Sequence, residues 1–555
     1  MSDFYIEDFN LKKLRAKFDE RVFAIPQIQR SYVWKKDSIC KLMDSIFKNY
    51  PIGIALVWET KTSKAFEIRP NTKTIIPQYR RQAPVAEVII DGQQRLSTIF
   101  GVLYGIEPSK VVNSKINFKD IYFDTNKESE NRFAFRRKLA EEDGGLINLT
   151  ELLNTPPNTL AKRLSLKKYQ ASELTKCHTA FNNYKFSILK FSGFDSEQAR
   201  EIFIRVNSAG MRLNRADELF ALATNVHLRD HVEDTKKDLQ NGFNEISDDA
   251  IQNTIALYYK ADKIGGAGFK PFLNQILKQN TKESDFLKEW KKIENGYKLC
   301  VDFLASEFII KNLKELPISN MFTMLSFFFA VNSKKATPYQ IKQIRKWFWH
   351  TCLNKRYSGS EFNKNIPTDI KFFRSLAEGK QVNYIIDKKV NVYDFMRSDY
   401  RDSGSVTIAY YLMLKIKKPL YLDNGTPMLL DNITSTSNKK HRHHIFPKAL
   451  MKANGIKEQW INCITNICFL DAYKNISIGA SLPKTYLTRF ENLKHFNKTM
   501  SSYLIPIHNT SPIWATKVND GFLDFINLRV GMITKEIEKL TGAELFEKHD
   551  ELKRL

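Results

Sequence analysis

Histidine is concentrated near the end of the chain. Three of the ten histidines fall within residues 441–444, and the segment that follows contains Asn466 and Asn475, nine positions apart. Cleavage of a phosphodiester requires a base that takes a proton from water and a cation that binds the phosphate. A neutral imidazole provides the base, and a second imidazole with carboxamide oxygens provides metal ligands. The residue types of this segment therefore indicate metal-assisted hydrolysis of a phosphodiester.

Two adjacent histidines on a regular strand cannot share one role. Successive strand residues point to opposite faces, so His443 and His444 act separately unless the strand is distorted between them. Two other interpretations stay open: a surface histidine cluster with ordinary turn asparagines, and a zinc site that includes Cys463 and Cys468. The spacing of the two cysteines, with isoleucines between them, favours buried core thiols over zinc ligands.

A second group of polar residues lies between a predicted strand and a predicted helix. The strand at 85–91 ends in Asp91, and the helix begins within Gly92–Arg95. Backbone N–H groups at a helix N-terminus favour an anion, and Gly92 permits close approach of the backbone. Arg95 can bind a phosphate through two donors, while Asp91 can hold a metal or polarise water. The local chemistry fits a phosphate ligand, and a plain turn at the head of a helix is the alternative.

Net charge indicates the class of partner. The 555 residues contain 86 Lys and Arg against 61 Asp and Glu, a formal net charge of +25. Such a surplus favours a polyanion, most simply nucleic acid, with solubility or a basic lipid-binding face as alternatives. Between residues 438 and 500 there are 11 Lys and Arg and 3 Asp and Glu, so the histidine-rich segment is itself basic. We therefore expect nucleic acid as the partner.

Cysteine usage and the N-terminus indicate the compartment. The six cysteines include no CxxC pair, which is typical of a reducing cytosol. The N-terminus has acids early and no apolar stretch, and no run of about 18 apolar residues predicts a membrane span. The nearest approach, residues 319–332, is predicted to be a buried helix. We expect a cytoplasmic protein without membrane contact.

Hydrophobic patterning predicts the elements that position these residues. An apolar stripe predicts a helix over 36–51. Further elements are predicted as strands at 52–60, 85–91, 121–125 and 185–191, and as helices at 196–210 and 214–224. They make 1–225 a mixed α/β region. A helical middle region follows at 226–400, with loosely defined boundaries, and the histidine-rich region with C-terminal helices occupies 401–555.

The strings HHIFP and TNICFLDAYKN resemble the HNH, or ββα-metal, nuclease family. The family pattern is a metal ligand and a histidine on a strand, an asparagine in a loop, and a last asparagine or histidine at a helix. The resemblance implies that His444 is the general base and that Asn466 fixes the histidine loop by hydrogen bonds. It also implies that His443 and Asn475 bind the metal, Mg²⁺ or Mn²⁺. The long gap between His444 and Asn466 implies an inserted helix within 448–460.

Three strings in the first 220 residues resemble the ParB/sulfiredoxin-like domain of GmrSD-type Type IV restriction enzymes, which act on modified DNA. They are IPQIQRSYVW (25–34), VIIDGQQRLSTI (88–99) and EIFIRVNSAGMRLNRADEL (201–219), in the family's order. The resemblance implies a domain that binds and hydrolyses a nucleoside triphosphate, GTP or ATP, and senses DNA. The matching residues are Gln29, Arg30, Asp91, Gly92, Gln93, Gln94, Arg95, Asn207 and Gly210. The sequence has no Walker-type phosphate-binding motif, so this hydrolysis would not use a P-loop.

Together these features predict an α+β multidomain fold: a ParB/sulfiredoxin-like domain, a helical middle region, and a ββα-metal nuclease embedded in helices. The expected function is a nucleotide-regulated, metal-dependent endonuclease whose partner is double-stranded DNA and which restricts invading phage DNA carrying modifications. A DNA- and nucleotide-binding regulator without catalysis, and an abortive defence nuclease that degrades host DNA, stay open as alternatives. The sequence does not decide the modification, the preferred triphosphate, whether the nucleotide activates or inhibits cleavage, or whether the chain forms a homo-oligomer.

Overall fold

The chain divides into two compact units, Met1–Arg229 and Asp230–Leu555, and each is described by itself. The computed structural model describes residues 3–26, 29–61, 74–77, 85–107, 116–126, 132–136, 145–209, 228–239, 242–262, 283–401, 404–428, 442–469 and 479–547. The second unit contains both the predicted helical region and the predicted nuclease region. The finer division between those two regions stays a prediction.

A five-stranded mixed sheet forms the centre of the first unit. Its strands, with those of a small second sheet, are β1 (Asp3–Phe9), β2 (Phe23–Ala24), β3 (Ala55–Lys61), β4 (Val85–Asp91), β5 (Ile121–Asp124), β6 (Phe133–Phe135), β7 (Leu146–Asn148) and β8 (Phe186–Ser192). The large sheet has the order β1-β8-β3-β4-β2, and the small one has the order β6-β5-β7. Within the large sheet β1 is antiparallel to β8, β8 is parallel to β3, β3 is antiparallel to β4, and β4 is parallel to β2. The four predicted strands are confirmed, and β3 begins three residues later than predicted.

Both faces of the large sheet are covered. Val57, Ile89 and Ile188 are fully buried on one face, and Val88 and Phe191 are fully buried on the other. Successive strand residues point to opposite faces, and these strands accordingly carry apolar residues on both sides. This double burial fixes the position of β4, whose last residue is Asp91.

A buried lysine joins four strands of the sheet. Lys190 of β8 is 2% exposed, and its Nζ lies 2.9 Å from Glu7, 3.1 Å from Glu59 and 3.2 Å from Glu87. The three glutamates lie on β1, β3 and β4. A buried charge is tolerated only when it is paired and hydrogen-bonded, and this cluster meets that condition.

The helices account for most of the remaining structure. Those of the described residues are α1 (Leu11–Asp19), α2 (Lys36–Phe47), α3 (Gln93–Tyr104), α4 (Leu149–Asn154), α5 (Pro157–Arg163), α6 (Lys168–Asn183), α7 (Ser196–Ala209), α8 (Leu228–Asp238), α9 (Asp248–Tyr258), α10 (Glu283–Glu307), α11 (Asn320–Asn332), α12 (Pro338–Leu353), α13 (Ser360–Ala377), α14 (Val392–Met396), α15 (Ser405–Ile416), α16 (Lys448–Ala453), α17 (Glu458–Ile461), α18 (Pro483–Leu487), α19 (Phe496–Ser502) and α20 (Val518–Thr541). The apolar stripe of α2 is buried as predicted, and so is almost every residue of α11. The predicted helix at 214–224 lies outside the described residues. Within the described ranges no helix combines the length and apolar character that crossing a bilayer requires.

A buried polar network lies around α12 in the second unit. His350 is fully buried, with Nδ1 2.9 Å from the Tyr384 hydroxyl and Nε2 2.9 Å from the backbone oxygen of Lys388. The pKa of His350 is lowered from 6.5 to about 4, mainly by burial and also by the nearby Arg356 guanidinium, while the Lys388 carbonyl and Asp387 act in the opposite direction. His350 is therefore a neutral core histidine.

Acidification should destabilise the second unit through His350. The unfolded chain takes up this proton near pH 6.5 and the folded chain only near pH 4. The contribution of neutral His350 to stability is therefore present above that window and is lost as the pH falls through it. We expect a loss of about 2–3 kcal/mol between pH 7 and about pH 4.5. Urea unfolding of the His350→Gln variant should show a correspondingly shallower pH dependence, whereas His508→Gln, at an exposed histidine, should keep the wild-type slope.

Candidate functional site

The histidine segment folds as a short antiparallel hairpin. Its strands are β9 (Arg442–His444) and β10 (Ile467–Phe469), and His444 pairs with Ile467 in the register. The predicted insertion between the strands is present as the two short helices α16 and α17. Two tyrosine hydroxyls support the hairpin, because Tyr410 donates to the Ile467 carbonyl at 2.6 Å and Tyr486 donates to the Ile445 carbonyl at 2.7 Å.

His444 is half-buried and has a defined hydrogen-bond partner. Its Nε2 lies 3.2 Å from Oδ1 of Asn462, and the Tyr400 ring meets its imidazole edge-on, with ring centres 5.0 Å apart. Burial lowers the pKa of His444 below its ordinary value of 6.5, while the hydrogen bond to Asn462 acts in the opposite direction. The lowered pKa favours the neutral imidazole, which is the form that can accept a proton.

His443 lies in different surroundings. It is 3% exposed, and its ring packs edge-on against Tyr486, with ring centres 6.0 Å apart. The two histidines therefore face different neighbours, as alternation along a strand predicts. Imidazole nitrogen and carboxamide oxygen are ligands that divalent cations accept, so the donor chemistry of His443 and Asn475 suits a metal. Asn475 lies outside the described residues, and within the described ranges no three His, Cys, Asp or Glu side chains come together as a metal site.

Asn466 fastens the segment that follows His444. Its Oδ1 accepts a hydrogen bond from the Phe446 backbone N–H at 2.9 Å, and its Nδ2 donates to the Phe446 carbonyl at 3.2 Å. Nδ2 also donates to the Ile461 carbonyl at 3.0 Å, and the Asn466 carbonyl accepts from the Ile445 N–H at 2.8 Å. These contacts are the kind that the HNH resemblance implies for this asparagine. Its part in catalysis stays a prediction.

The two nearby cysteines are core thiols. Cys463 is fully buried and Cys468 is 4% exposed. Burial raises the pKa of Cys463 to about 11 and that of Cys468 to about 12. Zinc binds the thiolate form, so these protonated thiols match the core interpretation better than the zinc alternative.

Two residues that sequence patterns did not single out shape this site. Asn462 bonds His444 and has no motif to mark it. Arg529 of α20 is fully buried and donates to the Thr465 carbonyl at 2.6 Å, next to Asn466. A signal for Arg529 does exist in the sequence, because it occupies the apolar stripe of α20 between Ile526 and Val530.

The second predicted site lies where β4 runs into α3. Gly92 has φ +88°, and a Cβ at this position would lie 2.8 Å from Cβ of Ala55, so the turn requires glycine. Asp91 is partly exposed and accepts a hydrogen bond from Nη2 of Arg95 at 3.0 Å. Arg95 also donates to the carbonyls of Ile52 at 2.7 Å and Ile54 at 3.1 Å. Its guanidinium therefore holds the 52–54 loop against Asp91.

Two glutamines hold the preceding segment in place. Gln29 is buried and donates through Nε2 to the Ile90 carbonyl at 2.8 Å. Gln94 accepts from the Val33 N–H at 2.9 Å and donates to the Ser31 carbonyl at 3.2 Å. These hydrogen bonds join the segment at residues 25–34 to the segment at residues 88–99.

The remaining predicted residues of this site have three different settings. Gln93 is 5% exposed at the start of α3, and Arg30 is exposed. Asn207 lies in the last turn of α7, and its side chain is outside the described part of the chain. Gly210 as a whole lies outside the described residues. The structure thus brings Gln29, Asp91, Gly92, Gln94 and Arg95 together.

Fold and sites define an α+β multidomain protein with a candidate phosphate-binding turn in one unit and a histidine hairpin in the other. Residues 10–224 match the family described as GmrSD restriction endonuclease, N-terminal domain. The N-terminal part of the chain is therefore similar to the N-terminal domain of GmrSD restriction endonucleases. The match ends before the histidine hairpin. The chain is also similar to an uncharacterised protein of Methanocaldococcus jannaschii, at 23% identity over 96% of this chain and 98% of the relative.

Proposed function

We propose that this chain is a nucleotide-regulated, metal-dependent DNA endonuclease that restricts invading phage DNA carrying modifications. In this proposal the N-terminal unit binds and hydrolyses GTP or ATP and senses the DNA, and the histidine hairpin cuts it. The observation that carries the proposal is the setting of His444. A half-buried, neutral imidazole lies beside a loop fastened by Asn466, in a basic chain with a GmrSD N-terminal domain.

The cutting step follows from the chemistry of a neutral imidazole. His444 takes a proton from a water molecule, and the water oxygen forms a bond to phosphorus while the bond to the leaving oxygen breaks. The leaving oxygen takes a proton from solvent, and His444 later releases its proton. His443 and Asn475 would hold a divalent cation, Mg²⁺ or Mn²⁺, which would supply positive charge to the phosphate. Asn466 contributes by holding the Ile445–Phe446 backbone behind the base.

One experiment tests the proposal as a whole. The purified chain is incubated with phage DNA in modified and unmodified forms, with and without GTP or ATP, and with and without Mg²⁺ or Mn²⁺. We expect cleavage that needs the metal, responds to the nucleotide and prefers modified DNA. Binding of DNA without cleavage under every condition would favour the regulator. Equal cleavage of unmodified host DNA would favour the abortive nuclease.

The same proposal predicts a specific loss at Asp91. Asp91→Asn keeps the shape of the side chain and a hydrogen bond to Arg95 but removes the negative charge that would orient a metal or water. We expect triphosphate hydrolysis, measured as phosphate release, to fall by about 10² or more. Asp37→Asn is the matched control, because Asp37 is an exposed acid at the first turn of α2. Unchanged phosphate release from Asp91→Asn would show that Asp91 has no role in triphosphate hydrolysis.

A further inference from the structure

Asn462 lies directly behind the imidazole of His444. It follows α17 and is 1% exposed, so its carboxamide is out of water. Oδ1 lies 3.2 Å from Nε2 of His444, and Nδ2 lies 3.2 Å from Oε1 of Glu458. Its backbone carbonyl accepts from the N–H of Tyr400 at 3.0 Å, which brings the Tyr400 ring beside the same imidazole. Both polar atoms of the Asn462 carboxamide are thus hydrogen-bonded, Oδ1 with His444 and Nδ2 with Glu458.

The partners of Asn462 determine which way its carboxamide faces. The ionised Glu458 carboxylate can only accept hydrogen bonds, so the Nδ2 amide must be the group that faces it. Lys448 lies 3.1 Å from the carboxylate of Glu458, and Lys452 lies 3.8 Å from it, and both favour its ionised form. With Nδ2 directed at Glu458, Oδ1 is left to face His444. An amide oxygen only accepts, so Nε2 of His444 must carry the hydrogen.

The position of this hydrogen decides which nitrogen can act as a base. A neutral imidazole has one N–H and one lone pair, so a proton on Nε2 leaves the lone pair on Nδ1. No residue in the described part of the chain forms a hydrogen bond with Nδ1. The Tyr400 ring, edge-on to the imidazole, restricts its rotation. Nδ1 is therefore the nitrogen that remains for a water molecule.

We propose that Asn462 is a positioning residue that holds His444 in the tautomer with hydrogen on Nε2 and the lone pair on Nδ1. Glu458 orients the carboxamide of Asn462 from behind. This inference rests on the proposed function in one respect only, namely that His444 is the base of the cutting step. The tautomer itself is a property of the chain without substrate.

The first test measures the tautomer, with ¹⁵N-labelled histidine in the full chain. The His444 signal is identified by its disappearance in His444→Ala. In the wild type we expect neutral His444 with hydrogen on Nε2. In Asn462→Leu, whose side chain cannot accept a hydrogen bond from His444, we expect a mixture of the two tautomers. Neutral wild-type His444 with hydrogen on Nδ1, or an unchanged signal in Asn462→Leu, would overturn the proposal.

The second test measures cleavage kinetics of the same variants. We expect Asn462→Leu to lower kcat by about 10² with KM changed by less than about threefold, because a mispositioned base affects the chemical step. Asn454→Leu is the matched control, since Asn454 is an exposed asparagine directly after the neighbouring helix α16, and its side chain bonds only Leu450 among described residues. Wild-type kcat in a folded Asn462→Leu would contradict the proposal.

A double variant separates positioning from loss of fold. Asn462→Asp with Glu458→Gln reverses the donor and acceptor between the two side chains and keeps an acceptor on His444. It should restore the Nε2 tautomer and bring kcat to within about tenfold of the wild type. Failure of this pair to restore the tautomer, in a folded chain, would overturn the proposal. A wild type that shows the expected tautomers but cuts no DNA would disprove the proposed function and uphold the positioning.

Discussion

Replacing His444 by alanine should lower the rate of DNA cleavage by about 10²–10⁴, the range that a general base contributes. The half-buried imidazole has Asn462 as its side-chain hydrogen-bond partner, and its backbone pairs with Ile467 in the hairpin. Alanine removes the base and keeps the strand pairing, so the fold should survive. The measurement is single-turnover cleavage of modified DNA at saturating metal, with DNA binding measured separately. Binding should stay within about threefold of the wild type, because the contribution of this side chain is to the transition state.

His508→Ala is the matched control for His444→Ala. His508 is an exposed histidine of the same unit, with Nδ1 3.1 Å from the Thr510 hydroxyl. It should cleave at the wild-type rate. Normal cleavage by His444→Ala would show that the histidine hairpin takes no part in the reaction. Another part of the chain would then have to cut the DNA. Equal losses in both variants would point to a general effect on the second unit.

Local patterns in the sequence predict the elements that carry the two sites. The apolar stripe of α2 and the β-rich runs of β3 and β4 are each short-range signals, and the structure confirms all three. The first two elements, β1 and α1, were not predicted. β1 is exposed along most of its length and carries three acids, so it lacks the alternating pattern of a half-buried strand.

Contacts between distant residues could not be predicted in this way. Lys190 meets Glu7, 183 positions away in the chain, and only the pairing of β1 with β8 brings them together. Asn462 meets His444 across two short helices. Asn466 could be predicted because it matches a position of the HNH family pattern. Asn462 matches no such position, and an asparagine after a short helix is common. Residues that position a catalytic group are determined by tertiary packing and are therefore the hardest to find from sequence.

The interior of the second unit contains an arginine whose loss should have a large effect on stability. Arg529 is fully buried, and its Nη2 donates to the Tyr503 carbonyl at 3.0 Å and lies 3.1 Å from the Tyr410 hydroxyl. Nε donates to the Leu504 carbonyl at 3.2 Å, and Nη1 donates to the Thr465 carbonyl at 2.6 Å. Among the described residues no carboxylate forms an ion pair with it. The guanidinium is stabilised by neutral oxygens, three of them backbone carbonyls.

Arg529→Met should destabilise the histidine hairpin. Methionine fills part of the volume but leaves three buried carbonyls without their donor, and each unpaired group costs about 1–3 kcal/mol. Removal of a buried charge offsets part of this cost. We expect a net loss of about 3 kcal/mol, seen as roughly 100-fold faster native-state hydrogen exchange at residues 463–469. Lys535→Met, at an exposed lysine of the same helix, should leave the exchange rate unchanged.

The effect of Arg529 on cleavage distinguishes support of the site from chemistry within it. Thr465 precedes Asn466, which fastens Phe446, so loosening at Thr465 should pass directly to the loop behind His444. Arg529→Met should therefore lose cleavage steeply with rising temperature and recover it on cooling. His444→Ala should cleave at its low residual rate at every temperature, and its amide hydrogens should exchange as in the wild type. If Arg529→Met exchanged at the wild-type rate, the hairpin would be held by its other contacts, and the tyrosines at 410 and 486 would be the residues to change next.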